Sequence, residues 1–254
     1  MMNDRAVGSP KVYELHEGVY AVIGLYHISG SIGTNAGIIM TPDSVVFIDS
    51  GMTISSAEFL WRVAQDHMSG NEDLYLILTH HHSDHVFGMR VLREKGVRVI
   101  AHSGVREYLD DPDGKYLEFV KSLMRCGPEE AKEILGDVRL TVPEQLIDND
   151  TVLKVGTEIH LLATPGHVPS ELSVYHPSSK TLFAGDTIFS EGSPTTRFGG
   201  PDDWRLWISH LERLRQMDIA TICPGHGELC TIDEIQRNID SLNETLPRRR
   251  LWRK

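Results

Sequence analysis

The sequence predicts an α/β fold built from two strand-rich halves. Short apolar runs rich in β-branched residues recur over residues 18–23, 36–40 and 44–48. Between residues 44 and 100 such runs alternate with helical periodicity, and a second group of apolar runs begins near residue 158. This alternation is typical of sheets covered by helices. Because no linker or repeat divides the 254 residues, we expect a single domain over residues 1–254.

In the first half, Thr41-Pro42-Asp43 is a turn signal that joins two strands as a hairpin. An apolar stripe beginning at Ala57 predicts a helix, with Ser55 or Ser56 as its cap. A strand over residues 74–78, a helical stretch near residues 89–95 and a strand over residues 97–100 complete a β-α-β-α-β order.

Residues 104–145 are charged and helical in pattern, which predicts a helical insertion between the halves. The second half has predicted strands over residues 158–163, 172–176, 181–184 and 219–223. A stripe beginning at Trp204 predicts the helix before the last strand, and its indoles are typical of core packing. Thr231-Ile232-Asp233-Glu234 has the pattern of a capping box opening a final helix.

Composition narrows the class of function. The formal net charge is −11, which disfavours a nucleic-acid partner because phosphate backbones need a basic footprint. The only basic run is the segment 248–254, interpreted as a solvated tail. The N-terminal residues show no apolar signal core, no run is long enough to span a membrane, and the three cysteines form no CxxC pair. We therefore expect a cytoplasmic protein with reduced thiols.

The most informative segment follows the strand at residues 74–78. It reads Thr79-His80-His81-His82-Ser83-Asp84-His85. Neutral imidazole and carboxylate are ligands that zinc, iron and manganese accept. Alternate residues of an extended segment point the same way, so His80 and His82 can reach one ion while His81 points elsewhere. Asp84 and His85, after a turn at Ser83, are placed to serve a second ion.

Three more segments put a metal-competent side chain beside a glycine, just beyond the end of an apolar strand. They are Thr164-Pro165-Gly166-His167, Ala184-Gly185-Asp186 and Pro224-Gly225-His226-Gly227. Each is weak alone, but together with the first cluster they supply enough side chains for two ions. The candidate metal ligands are His80, His82, Asp84, His85, His167, Asp186 and His226.

This set, in this order, resembles the five-motif signature of the metallo-β-lactamase superfamily. Asp49, within Val45-Val46-Phe47-Ile48-Asp49-Ser50-Gly51, matches the first motif, an acidic residue that supports the metal loop. The resemblance extends from about residue 18 to residue 230. It implies a four-layer αβ/βα sandwich, with two mixed β-sheets face to face, helices on the outer faces and a metal site at one edge.

The resemblance also implies roles for the candidate ligands. His80, His82 and His167 would hold one divalent ion. Asp84, His85 and His226 would hold the other, and Asp186 would bridge the two. The expected cofactors are two zinc ions, with iron or manganese as alternatives. Water shared by two dications loses a proton near neutral pH, and the resulting bridging hydroxide would be the nucleophile. Asp84 would orient it and shuttle its proton.

The sequence differs from several branches of this superfamily, and these differences reduce the number of reactions that we expect. β-Lactamases of the superfamily lack a bridging aspartate, which Asp186 would supply here. Nucleases of the superfamily carry a basic exosite, and long-form glyoxalase II carries a helical domain that is not seen after Gly227. The compact thioesterases and lactonases remain. Gly185-Asp186-Thr187-Ile188-Phe189 and Arg197-Phe198-Gly199-Gly200 are similar to short glyoxalase II-like members.

Three residues are candidate substrate contacts. Arg197 could hold a substrate carboxylate bidentately. Tyr26 or His27, in a loop that the resemblance places over the metals, could supply an acid or an oxyanion donor. Ordinary loop contacts are the alternative for all three. Where relatives often read Thr-Pro-Gly-His-Thr-Pro-Gly-Ser, this chain continues from His167 with Val168-Pro169-Ser170-Glu171.

The leading hypothesis is a dinuclear metal-dependent hydrolase acting on a small ester-like substrate, a thioester or lactone first. One alternative is a mononuclear iron enzyme of the persulfide dioxygenase type, using His80, His82 or His167 with Asp186. A phosphodiesterase and a non-catalytic binding module are the others. No membrane partner is expected, and the 104–145 insertion offers a candidate homodimer surface.

Overall fold

The computed structural model describes residues 9–28, 30, 32–124 and 126–246. The predicted basic tail lies outside the described residues. The strands are β1 Lys11–His16, β2 Val19–Leu25, β3 Thr34–Met40, β4 Ser44–Ile48, β5 Asp73–Ile77, β6 Arg98–His102, β7 Gln145–Ile147, β8 Thr151–Lys154, β9 Glu158–Ala163, β10 Leu172–His176, β11 Thr181–Phe189 and β12 Thr221–His226. The helices are α1 Ile54–Gln65, α2 Ser83–Val86, α3 Met89–Arg93, α4 Arg106–Leu109, α5 Lys115–Leu123, α6 Pro128–Leu135, α7 Pro201–Arg215 and α8 Asp233–Thr245.

The strands form two mixed sheets joined at one residue pair. In the first, β1 to β4 pair antiparallel in sequence order, and β4, β5, β6 and β7 pair in parallel. In the second, β12 and β11 are parallel, and β10, β9 and β8 follow antiparallel. The pair His226 and Thr34 connects β12 to β3. The joint between the sheets therefore contains one candidate ligand.

Successive side chains of a strand point to opposite faces of its sheet, and this divides the apolar core into three layers. In β4, Val45 and Phe47 face a cluster shared with α1 and α3, whereas Val46 and Ile48 face a cluster that also contains Phe183 of β11. This second cluster lies between the two sheets. A third cluster packs the outer face of the second sheet against α7 and α8. Two inner sheets with helices outside are the predicted αβ/βα sandwich, which is confirmed.

The β-α-β-α-β order of the first half is also confirmed, because β4, β5 and β6 are parallel neighbours. The hairpin prediction is confirmed by the antiparallel pairing of β3 and β4 around Thr41. Strands β1, β7 and β8 were not predicted. They are short or exposed on alternate residues, so they lack a continuous apolar run.

Both predicted helix caps are wrong. The Thr53 side chain accepts the hydrogen bond from the Ser56 backbone N–H at 3.1 Å, so Thr53 is the cap of α1. Helix α8 begins after Ile232, whose side chain has no oxygen to accept a hydrogen bond. The Glu234 N–H instead donates to the backbone oxygen of Thr231 at 3.0 Å, so no capping box forms there. The sequence pattern is present but is offset by one residue from the helix start.

The predicted 104–145 insertion contains the 3₁₀ helix Ser103–Val105 and helices α4, α5 and α6. Tyr108 and Tyr116 from these helices pack against His81, so the insertion lies beside the histidine-rich segment. The assignment of the whole chain to one domain stays a prediction. Among the described residues, no helix is both long and apolar enough to cross a membrane.

Packing between the sheets should dominate stability. Phe183 is 2% exposed and lies in the central cluster, close enough to Gly37 that a Cβ there would come within 2.4 Å of the phenyl ring. Phe183→Ala should lower the free energy of unfolding by about 3–5 kcal/mol because it leaves a cavity. Val152→Ala, on an edge strand at 50% exposure, should change it by less than about 0.5 kcal/mol. Urea unfolding measures both, and equal effects would contradict the assignment of the core.

Candidate metal centre

The centre begins with Asp49, which follows β4 and organises the segment after β5. Its carboxylate accepts three hydrogen bonds of 2.8 Å, from the Thr79 backbone N–H, the Thr79 hydroxyl and Nδ1 of His85. Asp49 has a φ of 62°, in the left-handed region that side chains seldom occupy. Aspartate tolerates that region better than most residues, and the three hydrogen bonds offset the strain. The supporting role expected of Asp49 is consistent with this geometry.

The same network fixes the orientation of His80. Because the Thr79 hydroxyl donates to Asp49, its oxygen is free to accept from Nδ1–H of His80 at 3.1 Å. The lone pair of His80 then lies on Nε2. This nitrogen is buried and has no hydrogen-bond partner within the described chain. Asp49 thus orients His85 directly and His80 through Thr79.

The first group of candidate ligands comes from both halves of the sandwich. One ligand atom from each of four side chains lies within 4.8 Å of the other three, and these side chains are His80, His82, His167 and Asp186. Nε2 of His167 lies 3.1 Å from Nδ1 of His82 and 3.2 Å from Oδ2 of Asp186. The other nitrogen of His167 faces the backbone oxygen of Thr195 at 3.3 Å.

The second group lies on the other side of Asp186 and consists of Asp84, His85 and His226. Oδ2 of Asp84 is 3.3 Å from Nε2 of both histidines. Helix α2 begins at Ser83, where a turn was expected, and it places Asp84 and His85 side by side. The remaining nitrogen of His226, Nδ1, donates to the backbone oxygen of Gly33 at 3.0 Å.

Asp186 lies between the two groups with one oxygen toward each. Oδ2 faces His167 at 3.2 Å, whereas Oδ1 faces His85 at 3.3 Å and His226 at 3.4 Å. The prediction that Asp186 and His226 follow their strands is wrong, because both lie within β11 and β12. The β11–β12 register shifts around Gly185, whose φ is 54°, and this irregularity turns Asp186 toward the site.

Burial keeps the first group of histidines neutral. It lowers the pKa of His82 and of His167 to about 4, and neighbouring imidazoles add to the effect of burial in holding the pKa of His80 well below its ordinary value. A neutral imidazole has a lone pair to offer, and a cation binds only that form.

The second group is governed by its carboxylates. Burial disfavours charge on Asp84 and Asp186, but the neighbouring histidines outweigh it and hold both pKa values well below the ordinary range. Burial likewise opposes charge on His226, yet Asp186 and Asp84 raise its pKa to about 10. The carboxylates therefore draw positive charge into this group, and a divalent cation would displace the protons that His85 and His226 hold there.

The donor set fits two divalent cations. Within the two groups, four buried atoms have no hydrogen-bond partner among the described residues: Nε2 of His80, His82 and His85 and Oδ1 of Asp186. Leaving such atoms unsatisfied is costly, and a cation would satisfy them. Imidazole nitrogens with a few carboxylates suit zinc, iron or manganese better than calcium or magnesium.

The three candidate substrate contacts lie in different surroundings. Nε2 of His27 lies 3.9 Å from Oδ2 of Asp84, and its ring packs edge-on to His226 at 5.2 Å between centroids. Tyr26 packs against the apolar cluster beneath the first sheet, where burial raises its pKa with help from Cys126 and Glu130. Arg197 is exposed and forms no ion pair among the described residues. His81 stacks on Tyr108 at 3.5 Å and belongs to neither group.

Three residues at the centre were not predicted. Thr34 donates its hydroxyl to Oδ2 of Asp84 at 2.8 Å, and the ring of Phe198 lies 4.4 Å from that of His82. Glu171 is fully buried behind His80 and Asp186. Burial and the Asp186 carboxylate raise the pKa of Glu171 well above its ordinary value. Glu171 was visible in sequence only as a departure from the usual motif, and nothing in the pattern showed where its side chain goes.

Comparison with known proteins agrees with this geometry. The family model described as the metallo-beta-lactamase superfamily matches residues 30–226. The chain belongs to this superfamily. Curated relatives include a beta-lactamase-like protein 2 homolog of Caenorhabditis elegans, 27% identical over 84% of this chain and 61% of that protein. A hydroxyacylglutathione hydrolase of Bartonella quintana is 29% identical over 68% of this chain and 56% of that protein. The chain thus spans little more than half the length of these relatives.

Solved structures of the superfamily share the fold. A metallo-beta-lactamase from Pontibacter korlensis superposes with a TM-score of 0.71 at 18% identity, covering 92% of this chain and 99% of that one. TMB-1 gives a TM-score of 0.73 at 19% identity, covering 94% and 99%. At this identity the likeness concerns the superfamily fold alone.

Close approach of the backbone at Gly225 should be required for cation binding. A Cβ at this position would lie 2.1 Å from Oδ1 of Asp186. Gly225→Ala should therefore displace the carboxylate and weaken zinc binding at least about 10-fold, the lower bound for disturbing a supporting contact. Gly192→Ala is the matched control, since a Cβ there would meet nothing within 4 Å. Equilibrium dialysis with elemental analysis measures both, and unchanged binding by Gly225→Ala would contradict the assignment of Asp186.

Proposed function

We propose that this chain is a dinuclear metal-dependent hydrolase that cleaves a small ester-like substrate, with a thioester or lactone as the first candidate. The observation that carries the proposal is the position of Asp186, whose two oxygens face two separate groups of ligand-competent side chains. A single ion would use only one of these groups. The intact second group of Asp84, His85 and His226 therefore favours two ions over the mononuclear alternative.

His80, His82 and His167 would hold one ion, Asp84, His85 and His226 the other, and Asp186 would contact both. When bound, two zinc ions supply Lewis acidity and make a shared water molecule acidic enough to ionise near neutral pH. A reaction of this kind needs no serine or cysteine nucleophile. Cys223 is consistent with this reading, because burial raises its pKa and removes it from thiolate chemistry.

Asp84 is the proposed catalytic carboxylate. Its side chain is 10% exposed, more than that of Asp186 at 6%, so it lies toward the open side of the centre. The Thr34 hydroxyl donates to Oδ2 at 2.8 Å and fixes the carboxylate plane. Asp84 would accept a proton from the attacking water and pass it to the leaving group, which is general acid–base catalysis by one side chain.

The rim of the centre supports an ester with an apolar part. The phenyl ring of Phe198 is 42% exposed and lies beside His82 and His167, where it can cover an acyl group. The neighbouring Arg197 is exposed and would meet a carboxylate on the same substrate. Relatives named hydroxyacylglutathione hydrolase favour a thioester within this class.

Loss of one candidate ligand should weaken zinc binding by the group that contains it and remove nearly all turnover. His82→Ala or Asp186→Ala should lower kcat/KM for a thioester at least about 1,000-fold, because a bound metal contributes several kcal/mol to the transition state. His160→Ala is the control: this partly exposed histidine pairs with Glu158 at 2.7 Å and should leave activity unchanged. Elemental analysis and hydrolysis assays on the same preparations measure both effects.

Chelation separates the competing functions. Removal of metal should abolish hydrolysis, and two equivalents of zinc should restore it. Full activity with one iron, together with oxygen uptake on a persulfide, would replace the hydrolase with the dioxygenase-type alternative. Hydrolysis of phosphodiesters alone would favour the phosphodiesterase, and activity or ligand binding that is indifferent to chelation would refute the proposal.

Arg197 should determine the preference for anionic substrates. Arg197→Ala should raise KM about 10-fold for a thioester that carries a carboxylate, because one charge-assisted hydrogen bond is lost. The kcat for that substrate and the kinetics of a neutral lactone should not change. Arg139→Ala, an exposed arginine paired with Asp137, is the control. An equal effect of Arg197→Ala on both substrates would show that Arg197 does not recognise charge.

A further inference from the structure

Among the described residues at the centre, Glu171 is a fully buried acidic side chain to which the proposed function gives no role. It precedes β10 and closes the loop that carries His167, since its backbone oxygen accepts from the Thr164 N–H at 3.0 Å. The next residue, Leu172, donates its N–H to the backbone oxygen of Thr79 at 2.8 Å. The backbone around Glu171 therefore connects the His167 loop to the residue just before His80.

The side chain contacts two further candidate ligands. Oε1 of Glu171 accepts the Asp186 backbone N–H at 2.9 Å and lies 3.5 Å from Nδ1 of His80. The second distance is that of an electrostatic contact, because the Thr79 hydroxyl is the closer acceptor for His80 at 3.1 Å. A single oxygen thus faces N–H groups from two candidate ligands.

The neighbouring backbone makes room for this contact. A Cβ at Gly185 would come within 2.6 Å of Oε1 of Glu171 and 2.7 Å of Cβ of Thr79. Only glycine lets the β11 backbone approach both side chains so closely. The Asp186 N–H reaches Oε1 because of this approach.

Folding alone does not account for a glutamate here. Oε2 is buried and has no hydrogen-bond partner among the residues described, an arrangement that costs free energy. An apolar side chain of similar size would fill the same space without that cost. Buried groups that lower stability in this way are characteristic of functional positions.

We propose that Glu171 is a positioning residue for the first group of candidate ligands. Through Oε1 it holds the Asp186 backbone in place and stands behind the imidazole of His80, so that Asp186 Oδ2 and His80 Nε2 face the same point. This inference rests on the proposed dinuclear centre. It gives His80 a supporting carboxyl group of its own, whereas Asp49 contacts His85 directly and reaches His80 only through Thr79. An oxygen can accept these hydrogen bonds in either protonation state of the carboxyl group.

The test compares Glu171→Ala with Glu171→Gln in the full-length protein, using zinc alone as the probe. Glu171→Ala removes Oε1 and should weaken zinc binding about 10–100-fold, the range for residues that orient ligands. Glu171→Gln keeps an acceptor oxygen and should stay within about 3-fold of the unmodified protein. Zinc affinity is measured by competition with a chromophoric chelator, and stoichiometry by elemental analysis.

Thermal unfolding distinguishes positioning from a general structural role. For a positioning residue, Glu171→Gln should leave the Tm of the metal-free protein unchanged or higher, and Glu171→Ala should shrink the rise in Tm that zinc produces. The control is Glu234→Gln in α8, where a buried carboxylate pairs with Arg237. That substitution should lower Tm with and without zinc by equal amounts and leave zinc affinity unchanged.

A double-mutant comparison assigns the effect to one side of the centre. In a His82→Ala background, Glu171→Ala should have little further effect on zinc affinity, because both act on the same group. In a His226→Ala background its full effect should remain. Full additivity with His82→Ala, or unchanged zinc affinity in Glu171→Ala alone, would overturn the inference and leave the metal centre standing. Failure of the unmodified protein to bind zinc would overturn both.

Discussion

The structure depends on burying carboxylates without burying a lysine or arginine. Asp49, Asp84, Glu171 and Asp186 are all buried, and no lysine or arginine is buried in the part of the chain that the structure describes. An unpaired charge in such surroundings is costly, so each carboxylate must meet imidazoles, N–H groups or a cation. The segments after β5 and β9, and the irregular part of β11 around Gly185, satisfy this requirement by bringing histidines and backbone donors to one point. Each glycine there allows an approach that a larger residue would block.

The same requirement connects the centre to the sheet topology. The two sheets meet at Thr34 and His226, and Thr34 also holds Asp84. Asn35 strengthens this joint, since its amide donates to the backbone oxygens of Pro224 and Gly227 at 2.9 and 2.8 Å. Its own oxygen accepts from the Gly24 N–H at 3.1 Å. The site therefore lies at the interface between the two halves of the sandwich. The distances between its side chains depend on how these halves pack against each other.

Much of this could be predicted from the sequence, because ligand chemistry requires particular residue types at particular spacings. The histidine cluster and the three glycine-flanked motifs can therefore be recognised from residue type and spacing alone. Glu171 could not be found in this way, since its role follows from a contact with Asp186 that is distant in sequence. The cap of α8 was misplaced because capping depends on where the backbone leaves the helix, which a four-residue pattern does not fix. Strands whose residues alternate in exposure, such as β8, were not predicted because they lack a continuous apolar run.

The division of the centre between the two halves has a consequence for biosynthesis. His80, His82, Asp84 and His85 leave the ribosome well before His167, Asp186 and His226. A partly synthesised chain offers only fragments of each group, and the sheet joint that aligns them includes His226 itself. The complete cradle therefore forms only after residue 226 has emerged and β12 has docked on β3. The alignment of all seven candidate ligands is therefore a late event in the folding of this chain.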